Sequence, residues 1–251
     1  MNGFEKHEIK HLSASSINLW INAPDVWVAG YLFKKRTPMG PAPWRGICVE
    51  DAVVSVLTGE QIDDSIKASL DKFDKMHKIA DESTTKERDM IEPMVRLSID
   101  ELVQYGKPEF PDDGKQEKIE IACGLNDDTI IRIIGYLDLV FPDHGLVIDL
   151  KTTNRMPSVM SPEHQLQRAI YSHAMGNSAV KFLYVTPKKT KLLEDGDVSE
   201  CLAGAKVQIQ RLEQFLAHCP DKETAAAIVP HNPNSFYWRN GQSIRAEIFN
   251  S

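Results

Sequence analysis

Within the stretch GYLDLVFPDHGLVIDLKTT, two acids and a lysine, Asp138, Asp149 and Lys151, interrupt runs that are otherwise apolar. Brought together by adjoining strands, two carboxylates and an ammonium can bind a divalent cation and activate water against a phosphodiester. Placing such charges on an apolar strand is costly unless they pair with one another or hold an ion. A break in pattern of this kind marks a site. Asp-Leu-Lys alone is a common tripeptide, whose charges more often face solvent or form a simple ion pair. The Gly-Tyr-Leu-Asp run ahead of it, with Gly135 and Asp138, shifts the weight toward a site.

Alternation predicts how these residues are positioned. Residues 129–141 and 145–151 are rich in Ile, Leu, Val and Phe, and the turn signal PDHG separates them. Side chains of a strand point alternately to its two faces. Asp149 and Lys151 therefore share one face, and Leu146, Ile148 and Leu150 the other. On the first strand Ile131, Ile133, Leu137 and Leu139 lie opposite Arg132, Tyr136 and Asp138. A short antiparallel turn then sets Asp138 beside Asp149.

The strand series runs from about Glu117 to Lys151, with a final strand in AVKFLYVTP. Between them lies a helix near 161–175, with Ser161 as its N-cap and Pro162 in its first turn. Upstream, LSASSINLWI opens with capping serines and continues as a helix, NAPDVW makes a turn, and TPMGPAP (37–43) is a Pro/Gly loop. A helix from about Arg45 to Leu57 carries Val49, Ala52, Val53, Val56 and Leu57 as its apolar stripe. Residues 61–105 read as helical, with a break or kink at Pro93, and YGKPEFPDDGK connects them to the strands. Residues 198–217 form an amphipathic helix through Val198, Leu202, Ala205, Ile209, Leu212 and Leu216. The tail, HNPNSFYWRNGQSIRAEIF, mixes turn residues with aromatics. This order predicts one α/β domain over 1–251, with a mainly helical part at 12–110, a sheet core at 115–190, and a C-terminal helix and tail at 191–251.

Composition bounds the rest. With 251 residues, 42% hydrophobic and 26% charged, the chain can bury a substantial core. No apolar run approaches a membrane span, and MNGFEKHEIKHLS lacks the apolar core of a signal peptide, so a cytoplasmic protein is expected. Cys48, Cys123, Cys201 and Cys219 are scattered without metal-ligand spacing and read as reduced thiols. A net charge of -7 argues against a wholly basic surface. It leaves room for nucleic acid, because basic contacts can be confined to one groove.

Gln167 and Tyr171 share a helical face. With them in view, the chain resembles the PD-(D/E)xK nuclease superfamily, nearest its RecB-like and phage-type exonuclease branch. LSASSINLWINAPDVWVAGYL resembles the family's N-terminal serine, aromatic and proline segment, and RGICVEDAV the helix that supplies an early metal ligand. GYLD, DLK and QRAIY resemble the metal strand, the catalytic strand and the Gln-x-x-x-Tyr helix. The resemblance covers residues 12–190. It implies a restriction-endonuclease-like α/β core, a central mixed β-sheet flanked by helices, with helical N- and C-terminal elaborations.

The resemblance implies that Glu50, Asp138, Asp149 and the backbone carbonyl of Leu150 hold Mg²⁺ or Mn²⁺, as one or two ions. Lys151 would orient or deprotonate the attacking water. Read from its own residues, Glu50 is equally an exposed helical glutamate beside Asp51. Gln167 and Tyr171 would brace the site and contact the nucleic-acid backbone, or else form a polar pair on the sheet edge, and His164 lies on the same face. Glu117 and Glu120 are further acids, with Glu120 the better candidate for a metal-water contact. Lys188 and Lys189, just past the last strand, are candidates for phosphate, although two lysines at a strand end are usually a solvated loop.

Two departures from the branch matter. Ala23 stands where iron–sulfur relatives carry an early cysteine, and Cys201 and Cys219 do not supply the C-terminal set, so no iron–sulfur cluster is expected. No Walker A sequence is present, so any motor would be a separate chain. The implied function is a metal-dependent DNA exonuclease in recombination, repair or phage DNA processing, working in the host cytoplasm if phage-encoded. A structure- or sequence-specific endonuclease and a catalytically degenerate nucleic-acid-binding protein compete with it. Linear DNA, bound by its end, is the expected partner, joined by a single-strand-annealing or recombination protein; a ring-forming homo-oligomer is left open.

Overall fold

The computed structural model describes residues 1–76, 82–110, 116–126, 129–176 and 178–249. Its N-terminal part comprises α1 (Gly3–Lys6), the short β1 (His11–Leu12), α2 (Ala14–Asn22), α3 (Pro24–Tyr31), α4 (Pro41–Leu57), α5 (Ile62–Met76), α6 (Glu82–Asp89) and α7 (Ile91–Leu102). The sheet core follows as β2 (Glu117–Asn126), β3 (Thr129–Leu137), β4 (Leu139–Phe141), β5 (Leu146–Thr152), α8 (Pro162–Ala174), β6 (Ala179–Val185) and β7 (Thr190–Leu193). The C-terminal part is α9 (Val198–His218), α10 (Lys222–Ile228) and α11 (Gln242–Phe249).

Local chemistry sets the boundaries. The Ser13 hydroxyl accepts the Ser16 N–H at 3.2 Å and caps α2, and the Ser161 hydroxyl accepts the His164 N–H at 3.4 Å at the start of α8. NAPDVW is not a free turn: α2 closes at Ala23 and α3 starts at Pro24, since proline at the first helical position sacrifices no intrahelical hydrogen bond. The same rule carries α4 back to Pro41, four residues before Arg45, leaving only residues 37–40 of the Pro/Gly stretch as loop. Pro93 causes no break, because it lies in the first turn of α7, where an N–H has no intrahelical partner to lose. The interruption falls at Met90 instead. The later residues of YGKPEFPDDGK, 111–115, lie outside the described residues.

Two mixed sheets form, ordered β1–β3–β2 and β4–β5–β6–β7. One extended run serves both. β3 pairs parallel with β1 and antiparallel with β2, the chain bends at Asp138, and β4 pairs antiparallel with β5. The expected mixed sheet flanked by helices is therefore present but divided at Asp138. Gly145 takes a φ of 55° in the turn that returns the chain to β5, a conformation glycine adopts without a steric cost. β5 and β6 are parallel, with α8 as the intervening segment. Alternation does not predict β7; its TKLL sequence is short and half polar, and it forms by pairing antiparallel with β6. Lys188 and Lys189 consequently occupy the β6–β7 turn and not the end of the last strand.

The core explains why Asp149 on β5 is shut off from solvent while Lys151 at the strand's end stays partly exposed. Leu146, Ile148 and Leu150 pack with Cys48, Val49 and Met94 from α4 and α7. Val147 faces the other way, into a cluster with Ile133, Ile170 and Ile209 that reaches under α8 and α9. Full burial of each such side chain contributes about 1.5–3 kcal/mol. The C-terminal tail is tied to α3 by the buried Asp25 carboxylate, which accepts from Trp238 Nε1 at 2.8 Å, His231 Nδ1 at 2.8 Å and the Asn232 N–H at 3.1 Å. Among the described residues no helix is long and apolar enough to cross a membrane.

Candidate active site

Asp138 stands where two strand ladders meet. One step beyond the β2–β3 pair Glu117↔Leu137, Gln116 falls opposite Asp138. One step beyond the β4–β5 pair Leu139↔Ile148, Asp149 falls opposite it. Simple alternation puts Asp138 on the same outer face as Tyr136. The bend turns it inward instead: Tyr136 is 48% exposed and Asp138 only 7%. Asp138 Oδ2 accepts the Leu150 N–H at 3.0 Å, satisfying a main-chain donor just past the end of the β4–β5 ladder. Its Oδ1 accepts from Gln116 Nε2 at 2.8 Å, and the same Nε2 donates to Glu50 Oε1 at 2.7 Å. α4 thus brings Glu50 to Asp138 through a shared amide.

Asp149 is completely buried. Its Oδ1 accepts from Gln167 Nε2 at 2.8 Å, and that nitrogen also lies 2.9 Å from the Tyr171 hydroxyl. The Lys151 ammonium lies against Oδ2, which has no well-formed hydrogen bond, so the ion pair is the compensation for that oxygen. Lys151 also stands 5.1 Å from the centre of the Phe182 ring. α8 holds Gln167 and Tyr171 one turn apart, and Gly135 makes room for them. A Cβ on Gly135 would fall 2.6 Å from Tyr171 Cε1.

Burial and crowding set the electrostatics. Burial pushes the Asp138 carboxyl well above the usual range, and the charges of Asp149 and Glu50 push it further. Burial also raises Asp149, against the pull of Lys151. Glu50 is pushed up to about 7, by burial first and then by Asp149. For Lys151 burial alone would favour the neutral amine, but Asp149 and Asp138 outweigh it and hold the ammonium above its ordinary pKa. Tyr171 is pushed up to about 12, mainly by burial, and stays a phenol. Burial and then Lys151 push His164 down to about 4. This neutral imidazole bonds to the Tyr184 hydroxyl at 2.5 Å through Nδ1 and packs on Phe182, and so does not join Gln167 and Tyr171.

Two expectations about the acids of β2 fail. Glu120 sits on the solvent-facing side, 3.5 Å from Arg132 and 3.6 Å from Lys118, because the even-numbered residues of β2 face outward. Glu117 lines a different cavity with Glu109 and Val140. The residue that reaches the site is their neighbour Gln116, which carries no charge to attract notice. Its signal is positional: continuing the β2–β3 register to Asp138 singles it out.

A second group escapes sequence reasoning. Arg45, buried in α4, donates to Asn154 Oδ1 at 2.7 Å and to Thr152 Oγ1 at 3.4 Å and pairs with Glu87 of α6. This network fastens α4 to the segment that follows Lys151. Beyond it opens a groove of about 950 Å³, where Lys86, Arg155, Lys188 and Lys189 line the wall with Asn154 and two acids, Glu82 and Asp89. Among the described residues none of these four cations is paired with a carboxylate. The Thr186 hydroxyl fixes the turn by accepting the N–H groups of Lys188 and Lys189 at 3.3 and 3.1 Å.

Three acids about one ammonium form a strongly acidic buried cluster, and burial of like charges favours a divalent cation among them. The oxygen-only donor set of three carboxylates, with Asp149 fully buried, fits a hard ion. As the side chains stand, no three His, Cys, Asp or Glu groups among the described residues are gathered tightly enough to hold one. Gln116 occupies the space between Glu50 and Asp138.

A family model for the PD-(D/E)XK nuclease superfamily matches residues 11–236. No curated protein matches the chain. A solved structure, described as the crystal structure of SSO0001, is similar at 15% identity over 72% of this chain and 84% of that one, with a TM-score of 0.36.

Proposed function

We propose that this chain, which belongs to the PD-(D/E)XK nuclease superfamily, is a DNA exonuclease dependent on Mg²⁺ or Mn²⁺. Members of the superfamily generally use divalent metal ions. The observation that carries the reading is the convergence of Glu50, Asp138 and Asp149 with Lys151 at the break between the two sheets.

Glu50, Asp138, Asp149 and the Leu150 carbonyl are the groups to hold the ion. When bound, it would supply a water of lowered pKa and positive charge against the phosphorane. Lys151, kept as an ammonium by its two acidic neighbours, suits orienting that water and offsetting phosphate charge better than removing a proton. Gln167 positions Asp149, and Tyr171 positions Gln167. Lys86, Arg155, Lys188 and Lys189, unpaired among the described residues, suit the phosphate backbone in a protein whose overall net charge is -7.

The RecB-like and phage-type resemblance supports action on linear DNA ends, in recombination, repair or phage DNA processing. It extends to a single-strand-annealing or recombination partner, a ring-forming oligomer and the host cytoplasm as the place of action. Incubation with Mn²⁺ and either closed circular or linear DNA tests the exonuclease reading. Degradation of the linear form alone is expected; cutting of the circle would establish an endonuclease instead.

A further inference from the structure

The Gln116 side chain touches both of the acids that face each other across the site. Its Nε2 lies 2.7 Å from Glu50 Oε1 and 2.8 Å from Asp138 Oδ1. Two carboxylate oxygens can share that amide only through its NH₂ group, whose two hydrogens are then both used. The amide thereby does what a small cation would do. It places positive hydrogens between the two carboxyl groups and fixes both inside the protein.

The separations differ from those of a metal. Mg²⁺ holds its oxygen ligands at about 2.0–2.1 Å. The two hydrogens of one NH₂ group point apart, so the oxygens they bind at 2.7 and 2.8 Å from the nitrogen are spread around the amide and not gathered on one such ion. This matches the lack of a ready-gathered ligand set among the described residues. Gln116 is anchored next to the first residue of β2, opposite Asp138 by strand register, so its amide is aimed at this gap by the backbone.

We propose that Gln116 is the placeholder of the metal site. It holds Glu50 and Asp138 apart from one another and in place, and its amide must swing out before both acids can turn an oxygen to the same divalent ion. Gln116 is thus a positioning residue that competes with the cation. The inference rests on the reading of Glu50 and Asp138 as metal ligands.

The test is a calorimetric titration of Mn²⁺ into the wild-type protein and into Gln116→Met, which keeps the volume and removes the donors. Both proteins are also melted in EDTA. The variant should bind Mn²⁺ about tenfold more tightly, the scale set by losing one or two charge-assisted hydrogen bonds, while melting at a lower temperature in EDTA. A merely structural residue would weaken the ion when removed. Gln116→Asn, too short to span both acids, should shift affinity in the same direction and serves if the methionine variant fails to fold. Equal or weaker Mn²⁺ binding by the variants overturns the role of Gln116. Absence of Mn²⁺ binding by the wild type overturns the metal reading itself.

Discussion

Asp138 reaches from the bend between two sheets to the main chain of β5, where its Oδ2 accepts the N–H of Leu150 at 3.0 Å. One carboxylate therefore closes the strand ladder with one oxygen and faces Gln116 with the other. Asp138→Asn keeps an acceptor for Leu150, whereas Asp138→Ala leaves that buried donor alone, at about 1–3 kcal/mol. In EDTA the alanine variant should melt below the asparagine variant, while both lose Mn²⁺-dependent hydrolysis. Equal melting temperatures would contradict the structural half of this role.

Glu50 makes the metal-free protein sensitive to pH. In the fold it keeps its proton up to about 7, against 4.5 for an ordinary glutamate. Between these values the native state binds more protons than the unfolded chain, so stability falls as pH rises, by about 3 kcal/mol from Glu50, with the raised Asp138 and Asp149 acting in the same direction. Denaturant melts in EDTA from pH 4.5 to 8 check the slope, and Glu50→Gln should make it shallower. Metal binding runs the other way, because the ligand must be deprotonated. Mn²⁺ affinity at pH 6 should be about tenfold weaker than at pH 8.

The close approach of Gly135 to Tyr171 predicts a coupled pair. Gly135→Ala puts a methyl 2.6 Å from the tyrosine ring and should cost about 1–3 kcal/mol. Trimming the ring in Tyr171→Ala should relieve most of that added cost, giving a coupling energy in a double-mutant cycle. Additive losses measured by chemical denaturation would show that the two residues act separately.

Much of the fold was legible in the sequence where local chemistry decides it. Ser13 and Ser161 cap the helices expected of them, and Val49, Ile209 and Leu216 pack inward as their helical spacing dictates. On β5, alternation sorts Ile148 from Asp149 correctly, and the two chemistries that share that strand follow from it. The split of the sheet at Asp138 was not legible, because an extended chain looks the same whether its neighbours belong to one sheet or two. β7 exists only by pairing with β6. Gln116 and the Arg45–Glu87 pair depend on the meeting of distant segments, which no local pattern encodes.

The groove beyond Asn154 predicts a salt-sensitive grip on DNA. Removing Lys188, Lys189 or Arg155 as alanine variants should weaken binding uniformly across sequences. For each phosphate no longer neutralised, the slope of log affinity against log salt should fall by about one. Fluorescence anisotropy with a labelled duplex at several salt concentrations measures both. An unchanged slope in the Lys188→Ala/Lys189→Ala double variant would remove the β6–β7 turn from the DNA interface.

Whether Asp138, Asp149 and Lys151 form one metal-dependent hydrolytic site is tested most directly by the degradation of end-labelled linear DNA against Mn²⁺ concentration. The wild type, Asp149→Ala and Lys151→Ala are compared, each verified as folded by its melting curve. Mn²⁺-dependent release of nucleotides is expected from the wild type and none from either variant. Undiminished hydrolysis by Asp149→Ala or Lys151→Ala would contradict the assignment.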